Sequence, residues 1–444
     1  MQKKPRLVIV GLDGATWDVI NPLVEQGKLP AIKRIMDEGQ SGTLRSVIPP
    51  ITGPAWATIL TGRNPGEHGI FEMTVFDDRL GRRRPISMND WNATPLWEIL
   101  NGRGLSTGLL CVPFTFPPPR VNGWIISGIM GTPKYDPRMF SPPSLFDEIT
   151  GAAGEFPLAP PARVHGEFPL ELLDRQISWT RDATLHLLDH HPTDVFMLVE
   201  NYTDHVQHFF YQSRTHNHRG TEIDPVERAY VACDDLLGAI RERAGDETPL
   251  LVLSDHGFTN LQGFVNLGVA LGEERSREAS RVAALWTVWN WLRRLLPRGL
   301  SEGIRRRVKR ARPALHVGAV GGYGSILEEV SDLDALEERL ATIRHPDTGE
   351  PMIAFYRRDD LYRGPLASRA PVAVAFPAKG WQTKLTSPRE GALLDGPRWV
   401  RDHEGTHALE GIIAATNVGE GAPLPERLEG VLDFCLQQCL GEAR

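Results

Sequence analysis

Cysteine is scarce: the 444-residue chain has four, Cys111, Cys233, Cys435 and Cys439. Their spacing fits neither a thiolate metal site nor a disulfide framework, and reduced thiols in a cytoplasmic protein are the simplest reading. No apolar run approaches the roughly 20 residues that a membrane-spanning helix needs. Only Met1 to Arg6 precede the first apolar run, too few for a signal peptide. An excess of positive charge is missing as well. The formal net charge is −7, which argues against general nucleic-acid binding. There is no internal repeat and no low-complexity tract. Hydrophobic content of 41% and charged content of 24% are ordinary for a globular protein large enough to bury a sizeable core.

Several short segments do carry chemistry. Leu7-Val8-Ile9-Val10, Phe196-Met197-Leu198-Val199 and Leu250-Leu251-Val252-Leu253 are continuous apolar runs rich in β-branched residues, the pattern of buried parallel strands. Each leads to an acid: Asp13, Asp204 and Asp255 in turn. A fourth run, Gly411 to Ala415, follows His407, which is expected in a loop. In open α/β sheets ligands sit beyond the carboxyl ends of strands, so these acids should converge there. His208 lies one helical turn after Asp204, on the same face if that stretch is helical. His256 follows Asp255 directly.

The donor types are carboxylate oxygen and imidazole nitrogen, which suit zinc or manganese. Two ions roughly 3.5–4 Å apart can clamp the attacking and leaving oxygens of an in-line phosphoryl displacement. The six candidate ligands are Asp13, Asp204, His208, Asp255, His256 and His407. Thr52 is the candidate nucleophile and lies adjacent to the ions. It precedes Gly53-Pro54 and a helical pattern, so the plainer alternative is a threonine that only caps a helix.

Other residues have blander readings. His68 is expected to pack a turn. His205 and His403 neighbour assigned ligands and would replace them in a shifted register. Trp56, one helical turn from Thr52, is expected to pack, with lining of the substrate cleft as the alternative. Lys379 and Lys384 are expected to be solvated, with phosphate contact as the alternative.

These motifs resemble the type I phosphodiesterase and nucleotide pyrophosphatase branch of the alkaline phosphatase superfamily. The matching segments are Asp13, Thr52-Gly53-Pro54, Thr61-Gly62, His68-Gly69-Ile70, Asp204 with His208, Ser254-Asp255-His256-Gly257 and Gly405-Thr406-His407. The Gly-Thr-His-Ala-Leu-Glu-Gly wording is closer to a prokaryotic phosphohydrolase or phosphomutase group. The resemblance implies a three-layer α/β/α sandwich with a mainly parallel sheet and an inserted cap. It also implies Asp204, His208 and His407 on one zinc ion and Asp13, Asp255 and His256 on the other. The chain departs from the nucleotide pyrophosphatases after Ile70, where Phe71-Glu72-Met73 stands in place of an asparagine that holds a phosphoryl oxygen. Nor does the segment after Thr52 offer the cysteine or arginine of a sulfatase.

The implied activity is metal-dependent hydrolysis of a phosphate monoester or diester through a phosphothreonine. A cofactor-independent phosphomutase is the alternative, and a non-catalytic metal-binding protein is the alternative from another class. The expected cofactors are two divalent ions, zinc first and manganese second. The expected partner is a small phosphate ester.

Along the chain, residues 1–265 read as the first part of a catalytic core, 266–350 as the inserted cap and 351–444 as the core resumed. Inside that cap, Leu292 to Arg312 carry nine basic residues against the single acid Glu302, behind Trp286, Trp289 and Trp291. A solvated helix packed on the core is the plain reading. An anionic membrane surface or an acidic partner is the functional one.

Overall fold

The computed structural model describes residues 3–77, 82–128, 130, 132, 134–157, 170–212, 224–270, 315–317, 322–326, 333–384, 393–395, 403–419 and 423–441. The basic segment 292–312 lies outside them. Two compact units emerge. One comprises Met1–Met73, Ile86–Asn260 and Asp402–Arg444; the other comprises Thr74–Pro85 and Leu261–Arg401.

In the first unit the strands are β1 (Leu7–Leu12), β2 (Gln40–Arg45), β3 (Thr107–Leu110), β4 (Gly123–Ile126), β5 (Phe140–Ser141), β6 (Val195–Glu200), β7 (Leu250–Leu253), β8 (Gly257–Asn260), β9 (Gly405–Ala408) and β10 (Glu410–Thr416). The helices that matter below are α1 (Trp17–Glu25), α2 (Pro30–Glu38), α3 (Thr52–Thr61), α4 (Leu145–Ala153), α5 (Leu170–His190), α6 (Tyr202–Phe210), α7 (Pro225–Ala244) and α8 (Val431–Leu440).

Eight strands form the main sheet in the order β2-β10-β7-β1-β6-β3-β4-β5. The central run β7-β1-β6-β3-β4 is parallel throughout. β10 and β2 on one side and β5 on the other are antiparallel to their neighbours. The run Gly411 to Ala415 is therefore a strand, as expected, but it joins the sheet against the direction of β7.

β1 shows why helices cover both faces. Its side chains alternate: Val8, Val10 and Leu12 join a core cluster with Ile20 of α1, Ile32 of α2, Leu173 of α5 and Leu236 of α7. Leu7 and Ile9 join a second cluster with Trp56 and Ile59 of α3 and Val431 of α8. A strand buried on both faces cannot alternate apolar with polar, which explains its continuous apolar sequence. The result is an α/β/α sandwich. Local chemistry fixes its helices. α2 starts at Pro30 without a cap of its own, and Asp234 of α7 accepts hydrogen bonds from the Ala31 and Ile32 amides at 2.9 and 2.7 Å. α3 ends on Gly62, whose φ of 61° is the left-handed turn that favours glycine.

The second unit contains an antiparallel sheet in which Gly324–Ile326 pairs with Ala373–Pro377, and that strand with Ile353–Arg357. The unit reaches beyond the 266–350 segment marked out from the sequence.

Candidate metal centre

Three adjacent strands of the sheet, β7, β1 and β6, end at one place. Asp255 and His256 follow β7, Asp13 follows β1, and Asp204 and His208 lie on α6 just after β6. Hydrogen bonds clamp the turn after β1. Thr203 Oγ1 donates to the Asp13 carbonyl at 2.6 Å, and Gln207 Nε2 donates to the Gly14 carbonyl at 2.9 Å. Gly14 has a φ of +67° and turns its amide toward Asp255 Oδ1 at 3.3 Å. A side chain at Gly14 would crowd the Phe258 ring.

The seven candidate residues come together as follows. Asp204, His208 and His407 offer ligand atoms that all lie within 4.8 Å of one another, and so do Asp13, Asp255 and His256. The clusters stand side by side, for the rings of His256 and His407 stack with centroids 3.7 Å apart. In the first, His407 Nε2 is 3.3 Å from Asp204 Oδ1, and His208 Nε2 is 3.5 Å from the same oxygen. In the second, His256 Nε2 is 3.6 Å from Asp13 Oδ1 and 3.5 Å from Asp255 Oδ2. Phe258 lies against His208 and His407, an apolar wall to the site.

His407 sits in a strand, not in the expected loop. β9 pairs antiparallel with β8, placing His407 opposite Phe258. Its Nδ1 meets the Pro50 carbonyl at 2.8 Å. That carbonyl requires an N–H at Nδ1, which leaves the Nε2 lone pair for a metal. His256 is arranged likewise, with Nδ1 at 3.1 Å from the Gly257 carbonyl.

Thr52 is buried and opens α3. It is the first helical residue, and Ile51 stands at the capping position without a side-chain cap. Thr52 therefore does not do the capping job that was its plain alternative. Residues near it in the chain meet both clusters: the Pro50 carbonyl is bonded to His407, and Trp56 Nε1 lies 3.3 Å from Asp13 Oδ2. Gly53 N–H at the start of the helix points to the Met73 sulfur at 3.3 Å.

A metal pair fits these side chains, and the test lies in their hydrogen bonds. Asp13 Oδ1, Asp204 Oδ1, Asp255 Oδ2 and His256 Nε2 are buried and have no hydrogen-bond partner. Meanwhile Asp13 Oδ2, Asp255 Oδ1 and His256 Nδ1 are bonded to protein. Buried polar atoms left unbonded cost free energy, so a set of them facing one another marks a ligand position.

Electrostatics agree. Burial, and then the charges of Asp255 and Asp204, raise the Asp13 carboxyl well above its ordinary range. Burial and Asp204 push Asp255 up to about 7. Burial opposes the charge on Asp204, but His208 and His407 beside it hold its carboxyl well below the usual value. Burial lowers His256 strongly, so its ring is neutral. Burial also works against a charged His407, yet the Asp204 carboxylate outweighs it and raises that histidine. Three buried carboxylates penalise one another's charge, and divalent cations relieve that penalty.

Two residues that matter here were not singled out for this role by the sequence. Asn201 Nδ2 donates to Asp13 Oδ2 at 2.7 Å. Trp56, expected to pack or to line the substrate cleft, is the second donor to that oxygen, and Gly11 makes room for it, since a Cβ there would lie 2.3 Å from the indole. Position in the chain was the available signal: Asn201 is the first residue after β6. His68 does pack a turn, with Nε2 3.0 Å from Thr58 Oγ1 and Nδ1 accepting from the Ile70 amide at 3.1 Å. His205 and His403 belong to neither cluster. In the second unit, Lys384 lies over the Phe264 ring.

Comparisons with known proteins follow the same line. A family model described as type I phosphodiesterase / nucleotide pyrophosphatase matches residues 7–408. Phosphonoacetate hydrolase from Sinorhizobium meliloti, solved with phosphonoformate, matches with a TM-score of 0.61 at 16% identity, covering 99% of this chain and 97% of that one. Human ectonucleotide pyrophosphatase / phosphodiesterase 5 matches with a TM-score of 0.54 at 15% identity, covering 98% and 95%. Its murine counterpart, an inactive threonine-to-alanine form in complex with AMP, gives the same TM-score of 0.54 at 15% identity, covering 99% and 95%. At these identities the structural likeness speaks for the fold.

Proposed function

The chain belongs to the type I phosphodiesterase / nucleotide pyrophosphatase family, phosphoric ester hydrolases of the alkaline phosphatase superfamily, and on that premise we propose a two-metal phosphohydrolase acting through a phosphothreonine at Thr52. Asp204, His208 and His407 would hold one ion; Asp13, Asp255 and His256 would hold the other. Zinc is the expected metal, with manganese second, because the donors are carboxylate and imidazole. The observation that carries the reading is the facing set of buried, unbonded ligand atoms.

Bound there, divalent ions supply Lewis-acid polarisation of phosphoryl, attacking and leaving oxygens. The chain's own residues do the rest. Thr52 Oγ loses its proton to solvent and attacks phosphorus, forming the Oγ–P bond as the bond to the leaving oxygen breaks and that oxygen takes up a proton from solvent. The positive end of the α3 dipole beside Thr52 favours an anionic phosphoryl group. Water then attacks phosphorus, the Oγ–P bond breaks to release phosphate from a monoester or a phosphate monoester from a diester, and Thr52 Oγ regains a proton from that water. The Pro50 carbonyl and Gly257 carbonyl keep the His407 and His256 rings oriented throughout.

Substrate choice falls, in this reading, to the Phe71-Glu72-Met73 stretch, which stands where nucleotide pyrophosphatases carry an asparagine and whose Met73 sulfur meets the Gly53 amide. The substrate is a small phosphate ester, and the protein works in the cytoplasm, where the buried thiols of Cys111 and Cys233 stay reduced. No helix among the described residues is long and apolar enough to cross a membrane. The basic segment 292–312 is the part of the chain suited to an anionic lipid surface or an acidic partner.

The test is turnover of an aryl phosphomonoester and an aryl phosphodiester by metal-stripped protein, before and after adding zinc or manganese. Hydrolysis that returns with metal, with phosphate released to water, is expected. Phosphate passed within one substrate would instead identify a mutase. Metal-loaded protein inert toward both esters would contradict the reading.

A further inference from the structure

His191 lies four residues before β6, at the end of that strand remote from Asp204. There it joins Glu148 of α4 and His186 of α5 in a further cluster of ligand atoms, all within 4.8 Å of one another. Glu148 Oε1 stands 2.7 Å from His186 Nε2 and 2.7 Å from His191 Nε2. Two imidazoles from different positions thus aim the same nitrogen at one oxygen.

Each donor is held by fixed backbone. Glu148 is flanked by Leu145 and Ile149, both buried in the core. His186 sits in the last turns of α5 and is stacked by His190, with ring centroids 4.2 Å apart. The His191 amide donates to the Leu187 carbonyl at 2.9 Å, and its carbonyl accepts from Trp124 Nε1 at 2.9 Å. The side chains are only partly exposed: 21% for His186, 32% for His191 and 37% for Glu148. Hydrogen bonds from His186 and then His191 hold the Glu148 carboxyl below its ordinary range, so it is ionised at neutral pH.

Two imidazoles and one carboxylate are a donor set for zinc and its neighbours, with an open position for water. Bonds of about 2.0–2.1 Å in a tetrahedral site keep donor atoms roughly 3.3 Å apart. The half-exposed Glu148 side chain reaches that spacing by withdrawing about half an ångström. The carboxyl end of α5 adds partial negative charge that favours a cation.

We propose that Glu148, His186 and His191 form a divalent transition-metal site, separate from the catalytic clusters, that fastens α4 to the end of α5. The probe is zinc alone, titrated into metal-stripped full-length protein and counted at equilibrium. His186→Ala/His191→Ala is expected to bind one equivalent less per chain than the parent protein, with aryl phosphate hydrolysis unchanged. Glu148→Gln, which keeps a hydrogen-bond acceptor for both rings, is expected to weaken that equivalent by about tenfold or more. Equal stoichiometry in parent and double variant, or unaltered affinity in Glu148→Gln, overturns the site and returns the cluster to a hydrogen-bonded clamp. Neither outcome depends on what the catalytic clusters do, because the readout is the number of bound ions.

Discussion

Replacing Asn201 by alanine probes the metal centre without touching a ligand. Asp13 Oδ2 is held by two donors, Asn201 Nδ2 at 2.7 Å and Trp56 Nε1 at 3.3 Å, and Oδ1 of the same carboxyl, the oxygen proposed to bind metal, has no hydrogen-bond partner. Asn201→Ala removes the shorter bond and leaves a fully buried carboxylate free to rotate away from its productive orientation. A hydrogen bond to a charged group contributes about 1.5–3 kcal/mol, a factor of roughly 10–150 in an equilibrium constant. Groups that orient metal ligands typically alter affinity by about 10–100-fold. The expected result is a shift of that size in the free zinc concentration giving half-maximal activity, read in zinc buffers, with most activity recovered at saturating zinc. Asn201→Asp should shift it further, since it sets another carboxylate beside Asp13. A zinc midpoint equal to the parent's in both variants would refute the reasoning. Activity lost equally at every zinc concentration would do the same, because it would point to a general structural defect.

Three other outcomes follow from particular contacts. Gly11→Ala would put a Cβ 2.3 Å from the Trp56 ring, and overpacking of that kind costs about 1–3 kcal/mol in denaturant unfolding; unchanged stability would mean the indole has room to move. Burial lowers His68 to about 3, so between there and the unfolded value of about 6.5 only the unfolded chain takes up this proton. Stability should therefore fall below pH of about 6.5, by up to about 1.4 kcal/mol per pH unit from this group, and level off near the folded value. His68→Gln should flatten that part of the stability profile by nearly one proton, and an identical slope would show the ring already protonated in the fold. Vesicles of anionic lipid should bind the protein at low salt and release it as salt rises, and Arg305→Glu/Arg306→Glu/Arg307→Glu should abolish binding while sparing aryl phosphate hydrolysis; no binding by the parent protein at low salt would rule out a lipid-binding role for the segment.

The strands that carry the site were legible because burial on both faces leaves a distinctive sequence. Leu250 to Leu253 is a strand at the bounds read from its apolar run, and the acid beyond it lies at the sheet's carboxyl edge. Direction was not legible. Gly411 to Ala415 looks like the parallel strands, but β9 pairs with β8 immediately before it, and the chain then enters the sheet reversed. Apolar content records burial, not which neighbour a strand finds. The same limit applies to Ile353–Arg357 and Ala373–Pro377, which pair within the second unit's own antiparallel sheet. Asn201 and Trp56 acquire their role only where three distant segments meet at one carboxylate oxygen. Neither residue type in its local sequence announces such a contact.

On the proposed mechanism Thr52 becomes covalently phosphorylated during turnover. Acid quenching of zinc-loaded protein during turnover of an aryl phosphate, followed by mass spectrometry of the peptide holding Thr52, tests it most directly. The expected result is one phosphoryl group on Thr52 that appears and decays with substrate, and its absence in a Thr52→Ala protein that keeps its metal content but loses turnover. Undiminished turnover by Thr52→Ala, with no phosphoryl group on the parent peptide, would contradict the claim and leave direct attack by water.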